Sequence, residues 1–234
     1  MFPTLLSVIA AVAALVHAQS LNVVNSCPHP VFLYMQSSFG TIDNNVAVAA
    51  GQSANLHISS NWDGAVNVGT GCNAEGTACT TGGPTWDGRT PFSRAEFNWW
   101  AVPGIVTYDL SMFYGYNVGM KISAGNCDAF SCTMSSGCPV PGDSSLGYTC
   151  FSPCCSSAAA CAGGALPLVG GGCVNNEGPG PHSPFYEDTC YNAYAFPDND
   201  GANNSQRDFV VESCSTLDVT LTLCPSGPSS HYTS

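Results

Sequence analysis

Arg94-Ala95-Glu96-Phe97-Asn98-Trp99-Trp100-Ala101-Val102-Pro103-Gly104-Ile105-Val106-Thr107-Tyr108-Asp109-Leu110-Ser111-Met112-Phe113 is the stretch that decides the fold. Large apolar and polar residues alternate on both sides of a Pro-Gly pair, the period of a half-buried β-hairpin rather than of a helix. Ala95, Phe97 and Trp99 share one face of the first strand, and Glu96, Asn98 and Trp100 share the other. On the second strand Tyr108, Leu110 and Met112 oppose Asp109, Ser111 and Phe113. The connection 101–104 is short and turn-like. If Trp100 pairs with Ile105, Glu96 falls opposite Asp109, with their Cβ atoms about 5 Å apart on one face. That face then carries two acids, Asn98 and Ser111, and an aromatic at its edge offers a surface for a sugar ring.

Further strands read at 21–24, 31–34, 54–58, 65–68, 117–122, 209–212 and 217–223, punctuated by Gly, Pro, Asn and Asp. Short, regularly spaced strands argue for a mainly β protein, a sandwich or barrel. The segment 127–190 differs: nine cysteines, many Gly, Ser and Pro, and one short helix at 156–161. It reads as a loop-rich lobe held by cross-links. Residues 226–234 read as a flexible tail.

The ends and the cysteines set the compartment. An apolar run over 5–16, closing in Val16-His17-Ala18, reads as a signal peptide spanning 1–18, too short for a bilayer. The domain is then 19–225 of a secreted, extracellular or wall-located chain, expected to be a monomer with no membrane span. Fourteen cysteines, all after the leader, imply seven bridges. Neighbouring histidines do not fall at zinc spacing, so no metal is expected, and no Gly-rich phosphate loop or other cofactor signature occurs. Four basic residues against sixteen acidic ones leave a net charge of −12, with only 9 % charged residues. That excludes electrostatic binding of nucleic acid or anionic lipid and suits a neutral polysaccharide. Asn203-Asn204-Ser205 is a glycosylation sequon at Asn203. The histidines have no triad spacing. Trp62 and Trp86 read either as sugar platforms or as core plugs.

The chain resembles the thaumatin-like proteins. The resemblance rests on Asn25-Ser26-Cys27-Pro28, on Arg94-Ala95-Glu96-Phe97, on Tyr108-Asp109-Leu110-Ser111 and on Gly115-Tyr116-Asn117-Val118-Gly119-Met120. Cys190-Tyr191-Asn192-Ala193-Tyr194-Ala195-Phe196 and the closing segment 210–225 extend it. It implies a flattened β-sandwich with a disulfide-rich loop lobe, a small hairpin lobe, and an acidic cleft between sandwich and loop lobe. It also implies the pairs Cys27–Cys224, Cys72–Cys79, Cys127–Cys214, Cys132–Cys190 and Cys138–Cys150. Cys154, Cys155, Cys161 and Cys173 depart from family spacing and their pairing stays open: Cys155–Cys161 with Cys154–Cys173 is the expectation, and a bond between the adjacent Cys154 and Cys155 would strain the ring. One family pair is missing at 82–86.

Of the family's five charged cleft residues, Glu96 and Asp109 match. Gly69 stands at the Arg position, and Tyr114 and Asn192 stand where two Asp are usual; Asp188, Asp198 and Asp200 are candidate substitutes. The expected ligand set is therefore Glu96, Asn98, Asp109, Ser111, Tyr114 and Asn192, with Glu96 and Asp109 as the catalytic pair if there is chemistry. Paired acids are what glycoside hydrolysis needs, yet two solvated carboxylates on an open sheet give the same pattern. The expected function is binding of cell-wall β-1,3-glucan in defence or wall remodelling. The alternative is a weak endo-β-1,3-glucanase using Glu96 and Asp109. A sweet-protein reading fails for want of a basic surface.

Overall fold

The structure, a computed structural model, describes residues 19–162, 178–201 and 209–233. The leader, the sequon at Asn203 and Cys173 lie outside the described residues. Among the described residues, eleven strands form two sheets. One has the order β4-β1-β11-β8-β9, from β1 (Ser20–Asn25), β4 (Ser53–His57), β8 (Met120–Ala124), β9 (Ser131–Cys132) and β11 (Asp218–Leu223). The other has the order β10-β7-β6-β5-β2-β3, from β2 (Val31–Phe39), β3 (Val46–Val48), β5 (Asp63–Thr70), β6 (Arg94–Asn98), β7 (Val106–Ser111) and β10 (Val211–Cys214). Alternate residues of both sheets meet in one core: Leu21, Val23, Ile122 and Leu221 from the first, Leu33, Val66, Phe97, Tyr108 and Leu110 from the second. Each large side chain so buried is worth about 1.5–3 kcal/mol. The protein is a β-sandwich of the expected class.

All nine expected strands overlap observed ones, but 117–122 is shifted to β8. Asn117 is not in a strand because its side chain works as a clasp: Nδ2 donates to the Val68 carbonyl at 2.7 Å and Oδ1 accepts the Ser93 N–H at 2.9 Å. The expected helix at 156–161 lies at α1 (Ala158–Ala162). The sequence reading missed β3, β9 and α2 (Ser183–Thr189), which are short elements fixed by tertiary contacts.

Strands β1 and β11 pair in parallel, Ser20 with Asp218 through Asn25 with Leu223, so the chain's ends lie side by side. Just beyond that pairing, Cys27 bonds Cys224 with a Cα separation of 5.0 Å. Other bridges join Cys72–Cys79, Cys127–Cys214, Cys132–Cys190, Cys138–Cys150 and Cys155–Cys161. Cys154 is also disulfide-bonded. The described part of the cysteine-rich segment packs onto the sandwich: Phe130, Cys132, Met134 and Tyr186 belong to the common core.

The tail departs from expectation. The Ser131 N–H donates to Ser230 Oγ at 2.8 Å, and the Ser230 N–H returns a bond to the Ser131 carbonyl at 3.0 Å. Thr133 donates to Ser229 Oγ at 2.9 Å. Strand β9 ends its sheet and would otherwise leave these backbone groups unpaired. A Pro-Gly-Ser composition conceals this edge-covering role.

Candidate functional site

The hairpin forms in the register that the alternation implies: Arg94 pairs with Ser111, Glu96 with Asp109 and Asn98 with Thr107. Its apolar residues enter the core, so the two acids stand together on the outer face of the six-stranded sheet. A groove of about 350 Å³ opens there. Strands β6 and β7 supply Arg94, Glu96, Asn98, Thr107 and Asp109; Ser38 and Asp63 come from β2 and β5. Tyr194 and Asp200 close one side. The strand β6 ends at Asn98, whose Oδ1 accepts the Ala101 N–H at 2.8 Å and starts the turn.

The acids are not two equivalent solvated carboxylates. Arg94 Nε donates to Glu96 Oε1 at 2.6 Å. The same guanidinium donates through Nη1 to Gln36 Oε1 at 2.5 Å and Asn67 Oδ1 at 3.2 Å, and lies 5.6 Å from the Tyr114 ring centre. Asp109 retains some exposed surface, but its Oδ1 is sealed from solvent with no donor facing it. Burial first, then the neighbouring Glu96 charge and a hydrogen bond between the two side chains, push the Asp109 pKa well above the usual carboxylate range, against the pull of Arg94. That shift favours the neutral form of Asp109, the more deeply buried of two facing acids. Burial and the charges of Asp109 and Asp200 push the Tyr194 phenol up as well, and its hydroxyl donates to Asp200 Oδ2 at 3.1 Å.

This arrangement has the residue types of a glycosidase pair, one acid with a raised pKa beside a second carboxyl. An inverting enzyme leaves about 6.5–9.5 Å between its carboxyls for a water, and a retaining one about 5–5.5 Å. Glu96 and Asp109, directly opposite in the register, stand side by side on one face of the sheet.

The other expected site residues divide. Asn98 and Asp200 line the groove. Ser111 is buried, beneath a bridge to Tyr194. Tyr114 lies outside the groove wall, stacked on Phe92 with ring centres 5.0 Å apart, and supports Arg94 from behind. Asn192 is fully buried and serves the tail: Nδ2 donates to the Phe209 and Tyr232 carbonyls at 2.6 and 3.1 Å, and Oδ1 accepts the Tyr232 N–H at 2.9 Å. Asp188 sits exposed on α2 and Asp198 is buried; neither lines the groove. Trp62 is a core plug, its Nε1 donating to Ser37 Oγ at 2.8 Å. Trp86 is half-buried against Phe92 and Tyr114.

Gly69 accepts no side chain. A Cβ there would stand 2.8 and 2.9 Å from the Cys72 and Cys79 sulfurs and 2.9 Å from the Tyr34 ring. The groove's cation comes instead from Arg94, which the sequence reading treated only as part of a motif. The available signal was parity, since Arg94 lies two residues before Glu96 and on the same face. Asp63, Thr107 and Tyr194 were also missed.

The family model described as the Thaumatin family matches residues 25–225. Pathogenesis-related thaumatin-like protein 3.5 of Cryptomeria japonica is 27 % identical over 234 residues, covering 89 % of this chain and 91 % of its own. Thaumatin-like protein 1 of Arabidopsis thaliana is 25 % identical over 239 residues, with 89 % and 87 % covered. Among solved structures, a thaumatin-like xylanase inhibitor superposes with a TM-score of 0.48 at 16 % identity, covering 88 % of this chain and 99 % of that one. The protein elicitor MoHrip2 of Magnaporthe oryzae gives 0.41 at 14 % identity, covering 89 % and 100 %. With the family model spanning nearly the whole described sandwich, the chain belongs to the thaumatin family.

Proposed function

We infer that this protein is a secreted, wall-facing glycan-binding member of its family, consistent with a defence role, whose groove holds neutral β-1,3-glucan without turning it over efficiently. The observation that carries the reading is the closed Arg94–Glu96–Asp109 unit. Its cation is paired with Glu96, and its second acid, Asp109, faces Glu96 across the hairpin with its pKa pushed well above the usual carboxylate range by burial and by Glu96. What remains for a ligand is a row of acceptors and donors, Asn98, Thr107, Asp63 and Tyr194, suited to sugar hydroxyls. Secretion fits the leader pattern at 1–18 and the dense disulfides; no helix among the described residues is long and apolar enough to cross a membrane.

One observation favours the weak endo-β-1,3-glucanase as a second reading. An acid with a raised pKa, Asp109, beside a second carboxyl, Glu96, is the kind of pair that glycoside hydrolysis uses. Pull-down on insoluble β-1,3-glucan, chitin and cellulose, paired with release of reducing ends from laminarin, decides between the two. Retention on β-1,3-glucan with little release, weakened modestly by Glu96→Gln, is the expected result. Robust laminarin cleavage lost in Glu96→Gln makes the protein an enzyme, and no retention on any glucan refutes the binding reading.

A further inference from the structure

One end of the groove runs into an exposed aromatic pair. After a register shift between Ser37 and Phe39, Phe39 pairs with Asp63, and Asp63 pairs in turn with Asn98. Ser38, Asp63 and Asn98 line the groove at this end. Two residues beyond Asn98, Trp100 meets Phe39 with ring centres 5.4 Å apart and planes at 50°. Trp100 is 55 % exposed and Phe39 47 %, whereas Trp62 and Trp99 are fully buried. Val102, in the same turn, is 49 % exposed. Leaving large apolar side chains contiguous in water is unfavourable, and such patches mark contact sites.

We propose that the Phe39–Trp100 notch is an accessory subsite that stacks one pyranose ring of the glucan chain leaving the groove. The proposal rests on the glycan-binding reading and extends it. A pyranose has an apolar C–H face and a polar rim, and needs an aromatic surface with hydrogen-bonding groups beside it. The tilted rings give the first; Asp63, Asn98 and Ser38 give the second. Charge argues against a lipid surface as occupant. The chain carries −12, and none of its four basic residues lies in the 99–105 turn or in β2. Four residues separate Glu96 from Trp100, at most about 13 Å of chain, so an oligomer is the ligand suited to reach both the acids and the notch.

The test is calorimetric titration of the full protein with laminaribiose and laminarihexaose, for wild type, Trp100→Ala, Trp100→Phe, Phe39→Ala and Glu96→Gln. Trp100 is exposed, so these variants keep the core. Trp100→Ala is expected to weaken the hexaose about tenfold, or about 1.4 kcal/mol, and to leave the biose unchanged. Trp100→Phe should restore most of the loss, and Phe39→Ala should fall between. In parallel, hexaose should protect Trp100 from N-bromosuccinimide, read by peptide mapping. Unchanged hexaose affinity in Trp100→Ala, with Glu96→Gln still weakened, overturns the notch and leaves the groove reading standing. Loss in Trp100→Ala with none in Glu96→Gln upholds the notch and refutes the groove. A wild type that binds no hexaose refutes both. Protection of Trp100 by phosphatidylcholine vesicles and not by hexaose assigns the rings to a lipid surface and overturns the proposal.

Discussion

Removing the Cys27–Cys224 bridge, by Ala at both positions, tests how the two chain ends are held. In the folded state the bridge adds little, because β1 and β11 already pair in parallel up to Asn25 and Leu223. Its effect lies in the unfolded chain. The two cysteines are 197 residues apart in sequence. The Cys127–Cys214 bridge, however, already short-circuits 87 of those residues. With the other bridges intact, the open path from Cys27 to Cys224 is therefore only about 100 residues, for which the chain-entropy relation gives about 4.7 kcal/mol. At about 2–4 °C per kcal/mol for a protein of this size, the melting temperature should fall by roughly 9–19 °C. Calorimetric melts of wild type and the double variant without reductant measure this, with circular dichroism at 20 °C checking that the sandwich persists. A fall below about 4 °C in a folded variant refutes the entropic account, since strain or residual unfolded-state structure must then offset it.

Three further outcomes follow from buried polar groups. Asn25→Ala removes a fully buried amide that donates to the His29, Val48 and Ala49 carbonyls and accepts the Cys27 N–H; orphaning those groups should cost about 3 kcal/mol, readable as a melt lowered by roughly 6–12 °C. Asp109→Asn should stabilise the protein at pH 7 and do little at pH 3: the folded pKa is raised, so the wild type's stability is fullest below the unfolded value of about 3.9 and is lost as pH rises through the folded one. A variant with the same pH slope as wild type sinks that assignment. Truncation after Pro225 should strip hydrogen-exchange protection from the Ser131 and Thr133 amides while β11 stays protected; equal protection in both forms refutes the edge-covering role of the tail.

The sequence was most legible where two rules agreed. In the hairpin, period-two alternation and a short connection together fix the register, and Glu96 opposite Asp109 follows from them. Alternation assigns a face but not what covers that face. Ser111 shares a face with Asp109 yet is buried, because the Tyr194 segment returns over it from far along the chain. Asn192 reads as a cleft residue by alignment to the family pattern, yet the tail claims both ends of its amide. Arg94 was legible by parity and missed for want of a partner to assign it. Strands β3 and β9 are three and two residues long, and no periodicity exists at that length.

The position of Arg94 matters more than its presence. A cation on the Gly69 side would have to displace the Cys72–Cys79 bridge and Tyr34. Supplied instead from β6, the guanidinium is held by Glu96, Gln36 and Asn67 and backed by Tyr114, so its charge is matched inside the wall. That match leaves Asp109 as the acid of the pair whose pKa is raised. A groove built this way has little long-range field of its own to attract an anionic ligand, and its chain repels one. Its affinity for a neutral chain must then come from short-range terms, hydrogen bonds along Asn98, Thr107 and Tyr194 and stacking at the rim. Both kinds of contact grow with ligand length, so on this reading the protein distinguishes polymer from free sugar without any charge on either.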